Sequence, residues 1–172
     1  MIGPHAPSPD DAFIEAYDAY SDAIFRYCYF RVYDRQRACE LMQECFMRTW
    51  QSIVDGKEIK SMRAFLYRVA NNLIIDHVRK KKEASLDAMT EGGFDPGNDG
   101  HKEIELAAEA GQVMKLLDRI DEEHRDVVVM RYLDDLSPKE IAEAIGETEN
   151  VVSVRLHRAM KKLREFAQNY GR

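Results

Sequence analysis

Residues 136–159 read LSPKEIAEAIGETENVVSVRLHRA. Ser137-Pro138-Lys139-Glu140 fits the capping-box pattern. Ser137 is the N-cap, Pro138 fills the first helical position, where no N–H is needed, and Glu140 stands three residues after the Ser. Ile141, Ala142 and Ile145 follow at helical spacing and form the buried face. Gly146 takes the left-handed conformation that ends a helix, and Thr148 caps the next one. Two helices joined by a turn of about three residues with Gly in it make the helix-turn-helix pattern. In the second helix Val151, Val152, Leu156, Ala159, Leu163 and Phe166 point to a core. Arg155, His157, Arg158, Lys161 and Lys162 are left for other faces.

A recognition helix needs this layout. Long cationic side chains in its N-terminal half reach base edges, and those further along meet phosphates. An ordinary helical hairpin with a basic outer face has the same spacing, so these residues alone leave both readings open.

Upstream of this pair, helices are expected near 102–119 and 121–133. Before them the chain changes character. Thr90-Glu91-Gly92-Gly93-Phe94-Asp95-Pro96-Gly97-Asn98-Asp99-Gly100 is rich in turn formers and acid. It has too little apolar area to hold a fold and reads as a flexible linker. The N-terminal part is helical again. Ser8-Pro9-Asp10-Asp11 is a helix start, and Phe13, Tyr17, Tyr20, Ile24, Tyr27 and Cys28 form one apolar face. Asp34 caps a second helix with the stripe Ala38, Leu41, Met42, Cys45, Phe46 and Trp50, broken at Asp55-Gly56. Ser61 caps a third, expected to run to about Lys82. The fold class is therefore all-α. Two small helical bundles, 8–83 and 105–172, are joined by a flexible acidic linker, 84–104, and the second bundle contains the helix-turn-helix.

The third helix has a core face of Met62, Phe65, Leu66, Val69, Leu73 and Val78. A different line carries Arg68, Asn72, Asp76 and Arg79. An Asn can hydrogen-bond the edge of a base and an Arg the adjacent phosphate, and Tyr67 offers a stacking face for an unpaired base. A solvated amphipathic helix shows the same stripe. Asp76 and His77 point about 100° apart on a helix, a poor arrangement for a catalytic dyad.

The net charge of the 172 residues is −6, which looks wrong for a nucleic-acid binder until it is divided. Residues 60–82 carry net +6, residues 83–126 net −9 and residues 147–172 net +3. Two basic patches thus flank an acidic middle, and a local field, not the total, decides what a face binds. No run of about 18 apolar residues exists, so no membrane insertion is expected. The first eleven residues lack the basic start and apolar stretch of a signal peptide, which points to the cytoplasm. Cys28, Cys39 and Cys45 are odd in number and form no CxxC pair, so they read as plain bundle cysteines rather than a disulfide framework or zinc site. No paired carboxylates in a cleft, metal cluster, Gly-rich phosphate loop or nucleophile–base set appears. Neither an enzyme nor a cofactor nor a small-molecule substrate is expected.

Taken together, these motifs resemble the extracytoplasmic-function group of the sigma-70 family. Glu40-Leu41-Met42-Gln43-Glu44-Cys45-Phe46-Met47-Arg48-Thr49-Trp50 is similar to that group's helix for docking on RNA polymerase. Phe65-Leu66-Tyr67-Arg68-Val69-Ala70-Asn71-Asn72-Leu73, with Asp76 and Arg79, is similar to its helix for the downstream promoter element. Arg125 through Tyr132, Leu136 through Ala142 and Arg155-Leu156-His157-Arg158-Ala159 are similar to its domain for the upstream element. The resemblance covers about residues 12–82 and 112–166. It implies that the chain binds core RNA polymerase and directs promoter-specific initiation. Leu41, Gln43, Glu44, Phe46, Arg48 and Trp50 would form or support the docking surface. Arg68, Asn72, Asp76 and Arg79 would face the melted −10 element, where a base is captured out of the stack. Arg155, His157, Arg158 and Lys161 would face the −35 element. The partners implied are core RNA polymerase, promoter DNA and an anti-sigma factor. The acidic linker would thread polymerase channels that otherwise hold RNA.

The chain also departs from the pattern. Asp121 stands where the family often has Pro, and Asp135 where it often has Gly; Asp tolerates the left-handed turn better than most residues. Ser153 and Val154 stand where a basic residue and Ser are frequent, and Cys39 replaces a usual acid. Two rival readings remain: a stand-alone helix-turn-helix regulator, which needs no docking helix, and a sigma-like adaptor that binds only a regulator protein.

Overall fold

The computed structural model describes residues 8–89 and 115–170, with side chains for 8–83 and 115–168. The chain divides into two units, Met1–His101 and Lys102–Arg172. Most of the expected linker, and the helix expected near 102–119 up to residue 114, lie outside the described residues.

The first unit is built from α1 (Pro9–Val32), α2 (Arg35–Val54) and α3 (Met62–Met89). Each begins where local chemistry says it must. The Asp11 N–H donates to Ser8 Oγ at 3.1 Å and the Ser8 N–H to Asp11 Oδ2 at 3.3 Å, a reciprocal cap. Asp34 Oδ1 accepts from the Arg37 N–H at 2.9 Å, and Ser61 Oγ from the Ala64 N–H at 3.2 Å. Tyr33, at φ 51°, ends α1 in the left-handed conformation. Gly56, at φ 70°, follows the end of α2. The third helix continues past Lys82 to Met89. Nothing in Glu83-Ala84-Ser85-Leu86-Asp87-Ala88-Met89 breaks a helix, and most of these residues favour one.

Every pair among α1, α2 and α3 packs together, so α3 meets two neighbours and buries a wide face. Leu66 and Leu73 are buried as expected, and so are Ala64, Tyr67, Ala70, Asn71 and Ile74. Val78, expected in the core, is exposed. Tyr67 and Tyr27 meet edge to face with ring centroids 5.2 Å apart. Thr49 and Ser52 are buried polar residues of α2 that donate their hydroxyls to the carbonyls of Cys45 and Arg48 at 2.9 and 3.0 Å, four residues back.

In the second unit residues 115–117 are helical. They are followed by α4 (Glu122–Val128), a wider turn through Val129–Leu133, α5 (Pro138–Ile145) and α6 (Glu149–Tyr170). In the wide turn the Asp134 N–H reaches back five residues to the Val129 carbonyl at 3.1 Å. This extra residue per turn leaves Val129 and Met130 buried and turns Tyr132 and Leu133 to the surface. Asp135 adopts φ 54°, the left-handed position that its place in the motif demands. The Leu136 N–H then closes the loop on Met130 O at 2.8 Å. The Ser137–Glu140 capping box is formed, and Gly146 ends α5 at φ 72°. Thr148 Oγ1 accepts from the Val151 N–H at 3.3 Å at the start of α6. Leu117, Val127, Met130, Leu136, Ile141, Val152 and Ala159 make the core. Ala144 is buried with them, while Ile145 is only half-buried. The second unit therefore contains the expected helix-turn-helix.

Candidate nucleic-acid interfaces

On α3 the line expected to meet nucleic acid is at the surface. Arg68, Asn72 and Arg79 are exposed and Asp76 is half-buried. Asp76 Oδ1 lies 3.1 Å from Arg79 Nη2, so the carboxylate orients one cation of the line. Tyr67 does not join it. Its ring is fully buried against Tyr27, and it has no face for an unpaired base. The periodic apolar face did not show this, because α3 packs against both α1 and α2 and so buries a wider face than one stripe. The expected line also missed Ile75, which is 49% exposed. Arg68, Asn72, Ile75 and Arg79 fall at steps of four, three and four, one line of a helix. An apolar side chain between an amide and a guanidinium supplies a surface for a base face.

His77 sits beside this line with a different task. Its Nδ1 accepts from Arg37 Nε at 3.1 Å, and Arg37 Nη1 also holds Glu40 Oε2 at 2.8 Å. Burial, then the charges of Arg37 and Lys81, lower the proton affinity of His77 below its ordinary range. A neutral imidazole thereby joins α2 to α3.

On α2 the six expected docking residues divide. Leu41 and Phe46 are buried and hold the helix from beneath. Gln43 and Arg48 are exposed, and Glu44 and Trp50 are half-buried. Glu44 Oε1 pairs with Arg48 Nη2 at 2.6 Å. Trp50 meets the Phe13 ring at 5.3 Å. Met47, 71% exposed, follows Gln43 by four residues and belongs to the same outward face; its apolar character hid it. Phe13, Ile14, Met47 and Trp50, with Asp10 and Gln51, bound a surface hollow of about 650 Å³.

On α6 His157, Arg158 and Lys161 are exposed together with Ser153 and Val154. Arg155 lies at the edge of that face and is half-buried. It is ion-paired with Glu147 at 3.0 Å and Glu123 at 3.3 Å. Lys162 pairs with Asp121 at the start of α4. Hydrogen bonding and charge from Lys162 hold the Asp121 carboxyl below the usual carboxylate range. Behind this face the Arg119 guanidinium sits 4.3 Å from the Phe166 ring centroid.

Among the described residues no cluster of three or more His, Cys, Asp or Glu has a metal-holding arrangement, and no helix is long and apolar enough to cross a membrane. Cys28, Cys39 and Cys45 are free thiols. Burial pushes the Cys28 thiol up to about 12 and raises Cys45 as well, so both stay protonated and unreactive.

Two helical units, each with an exposed line of cations and hydrogen-bonding groups beside a packed core, define a two-domain nucleic-acid-binding protein. Residues 16–84 match the family model for sigma-70 region 2, and residues 110–163 match that for sigma-70 region 4. The chain is 34% identical to the ECF RNA polymerase sigma factor SigW of Bacillus subtilis, over 90% of this chain and 88% of that one. It is 30% identical to the ECF RNA polymerase sigma factor SigL of Mycobacterium tuberculosis, with the same coverage of each chain. The sigma factor RpoE of Bartonella quintana, solved in complex with the anti-sigma factor NepR, shares the fold. Its TM-score is 0.75 at 19% identity, covering 91% of this chain and 97% of that one. CnrH, solved with the cytosolic domain of CnrY, has a TM-score of 0.68 at 21% identity, covering 93% and 90%. The chain belongs to the extracytoplasmic-function group of the sigma-70 family of RNA polymerase sigma factors.

Proposed function

We propose that this chain binds core RNA polymerase and directs initiation at promoters of a defined sequence, reading the −10 element with α3 and the −35 element with α6. The observation that carries this reading is the exposure of two separate lines of cations and hydrogen-bonding groups, Arg68-Asn72-Arg79 with Ile75 between them and His157-Arg158-Lys161, on two units of one chain. A stand-alone regulator needs only the second line.

In this reading α2 docks on the polymerase through Gln43, Glu44, Met47, Arg48 and Trp50, with Leu41 and Phe46 fixing its pose. Asn72 and Ile75 take a base of the separated strand, and Arg68 and Arg79, the latter oriented by Asp76, hold its phosphates. Arg158 and Arg155 reach base edges in the major groove, while Lys161 and His157 lie against the backbone. Residues 84–104 act as an acidic connector between the domains 8–83 and 105–172. The chain has no catalytic role of its own and works in the cytoplasm. The relatives solved in complex with a second protein support an anti-sigma partner here too.

The deciding experiment mixes the purified chain with bacterial core RNA polymerase and a library of promoter DNA. Initiation that depends on the chain and selects a common sequence is the expected result. Polymerase binding without initiation favours the adaptor reading. DNA binding without polymerase binding favours the stand-alone regulator.

A further inference from the structure

We propose that Glu123 and Glu147 form an acidic latch on Arg155 that sets how strictly α6 discriminates among upstream sequences. The inference rests on the reading of α6 as the −35 helix. Three elements converge on this side chain. Arg155 lies on α6, Glu147 in the turn between α5 and α6, and Glu123 in the first turn of α4. The Arg155 side chain is 22% exposed, against 37% for Glu147 and 72% for Glu123.

The consequence lies in which nitrogen is held. Nη2 donates to Glu147 Oε1 at 3.0 Å and lies 3.3 Å from Glu123 Oε2. Among the described residues neither Nε nor Nη1 of Arg155 has a partner. A guanidinium offers two forked edges, Nε with Nη2 and Nη1 with Nη2. Nη2 belongs to both. With it committed to two carboxylates, neither fork is whole, and pairing with guanine O6 and N7 needs a whole fork. Arg155 must therefore leave at least one acid before it reads a base.

The two acids also neutralise Arg155 toward phosphate. A random duplex gains little from a cation already compensated, because the non-specific attraction comes from replacing counterions on phosphates. A correctly placed guanine returns two hydrogen bonds and offsets the opening of the latch. Glu123 and Glu147 thus act as specificity-setting residues through Arg155, without contacting the base themselves. Arg158, exposed on the same helix, has no carboxylate partner among the described residues, so no latch of this kind holds its guanidinium back.

The test uses the full chain bound to core RNA polymerase. The probes are two duplexes that differ only in the upstream element, one carrying the selected sequence and one a scrambled sequence. The variants are Glu123→Gln with Glu147→Gln, Arg155→Ala, and the three changes together. The double Gln variant is expected to bind the scrambled duplex about fivefold more tightly, the scale of exposed ion pairs. It should gain less on the selected duplex, so the ratio of affinities falls. Its salt dependence on scrambled DNA steepens by about 0.9 in log–log slope, one added phosphate contact. All of these changes disappear when Arg155→Ala is also present. A gain that survives Arg155→Ala is a bulk-charge effect and overturns the latch. No gain, or a loss on the selected duplex, overturns it as well and makes the acids supports that aim Arg155. If Arg155→Ala alone leaves the selected duplex equally well bound, Arg155 is not at the interface and the assignment beneath the proposal fails instead.

Discussion

The phenol of Tyr27 donates a hydrogen bond to Asn71 Oδ1 at 3.2 Å inside the three-helix unit, while Asn72, the next residue on α3, is exposed. Two adjacent asparagines thus face opposite ways, one into the core and one to the surface. Asn71→Ala removes a buried acceptor and should lower stability by about 1–3 kcal/mol. Asn72→Ala should leave stability within about 0.5 kcal/mol and reduce initiation by impairing capture of the melted strand. Denaturant unfolding and promoter opening measured on both variants check this. A stable Asn71→Ala chain with an initiation defect would exchange the two roles.

The helix α2, proposed to dock on the polymerase, gives a similar contrast. Leu41 is 1% exposed and Met47 is 71% exposed. Leu41→Ala should cost about 2–5 kcal/mol through the cavity it leaves. Met47→Ala should unfold at nearly the same denaturant concentration as the parent and bind core polymerase more weakly. A competition measurement of polymerase affinity decides whether the outward face of α2 is the docking surface.

How far such assignments are legible in the sequence depends on how local their causes are. The starts at Ser8, Asp34, Ser61, Ser137 and Thr148 and the stop at Gly146 were readable, because each rests on hydrogen bonds within a few residues. The left-handed Asp135 was readable only through the resemblance, which places it where the family often has Gly. The buried side of α3 was not. Its width follows from packing against both α1 and α2, and a periodic apolar pattern does not count neighbours; so Tyr67 was placed outside and Val78 inside. The wide turn at Val129–Leu133 leaves no composition signal. At the sites, exposed cations could be read from helical spacing, whereas the pairing of Arg155 with Glu123 spans 32 positions and depends on tertiary structure.

Acidification should weaken the first unit through His77. Its folded proton affinity lies below the ordinary value of 6.5 because of burial and the nearby Arg37 and Lys81. The unfolded chain therefore binds the proton more readily than the folded one. The contribution is intact above about pH 6.5 and is lost as pH falls from there toward the lower folded value. Protonation also removes the Nδ1 lone pair that accepts from Arg37. His77→Gln, which does not titrate, should show a flatter decline in stability between about pH 7.5 and 5.5 than the parent. Equal slopes in denaturant melts across that range would show that His77 is not linked to folding.

Arg158 gives the sharpest separation between the two proposed promoter-reading surfaces. It is exposed on α6, in the second unit. Arg158→Ala should weaken holoenzyme binding to duplex containing the upstream element by about 1–3 kcal/mol, roughly fivefold to 150-fold, if the side chain pairs with a base. If it only meets phosphate, the loss is the same on all sequences and the salt slope falls by about 0.9. In either case binding to a pre-melted downstream strand stays at the parent level, since the proposed function gives that strand to α3. A defect confined to the melted strand would move the downstream site onto α6 and reverse the division of labour between the two units.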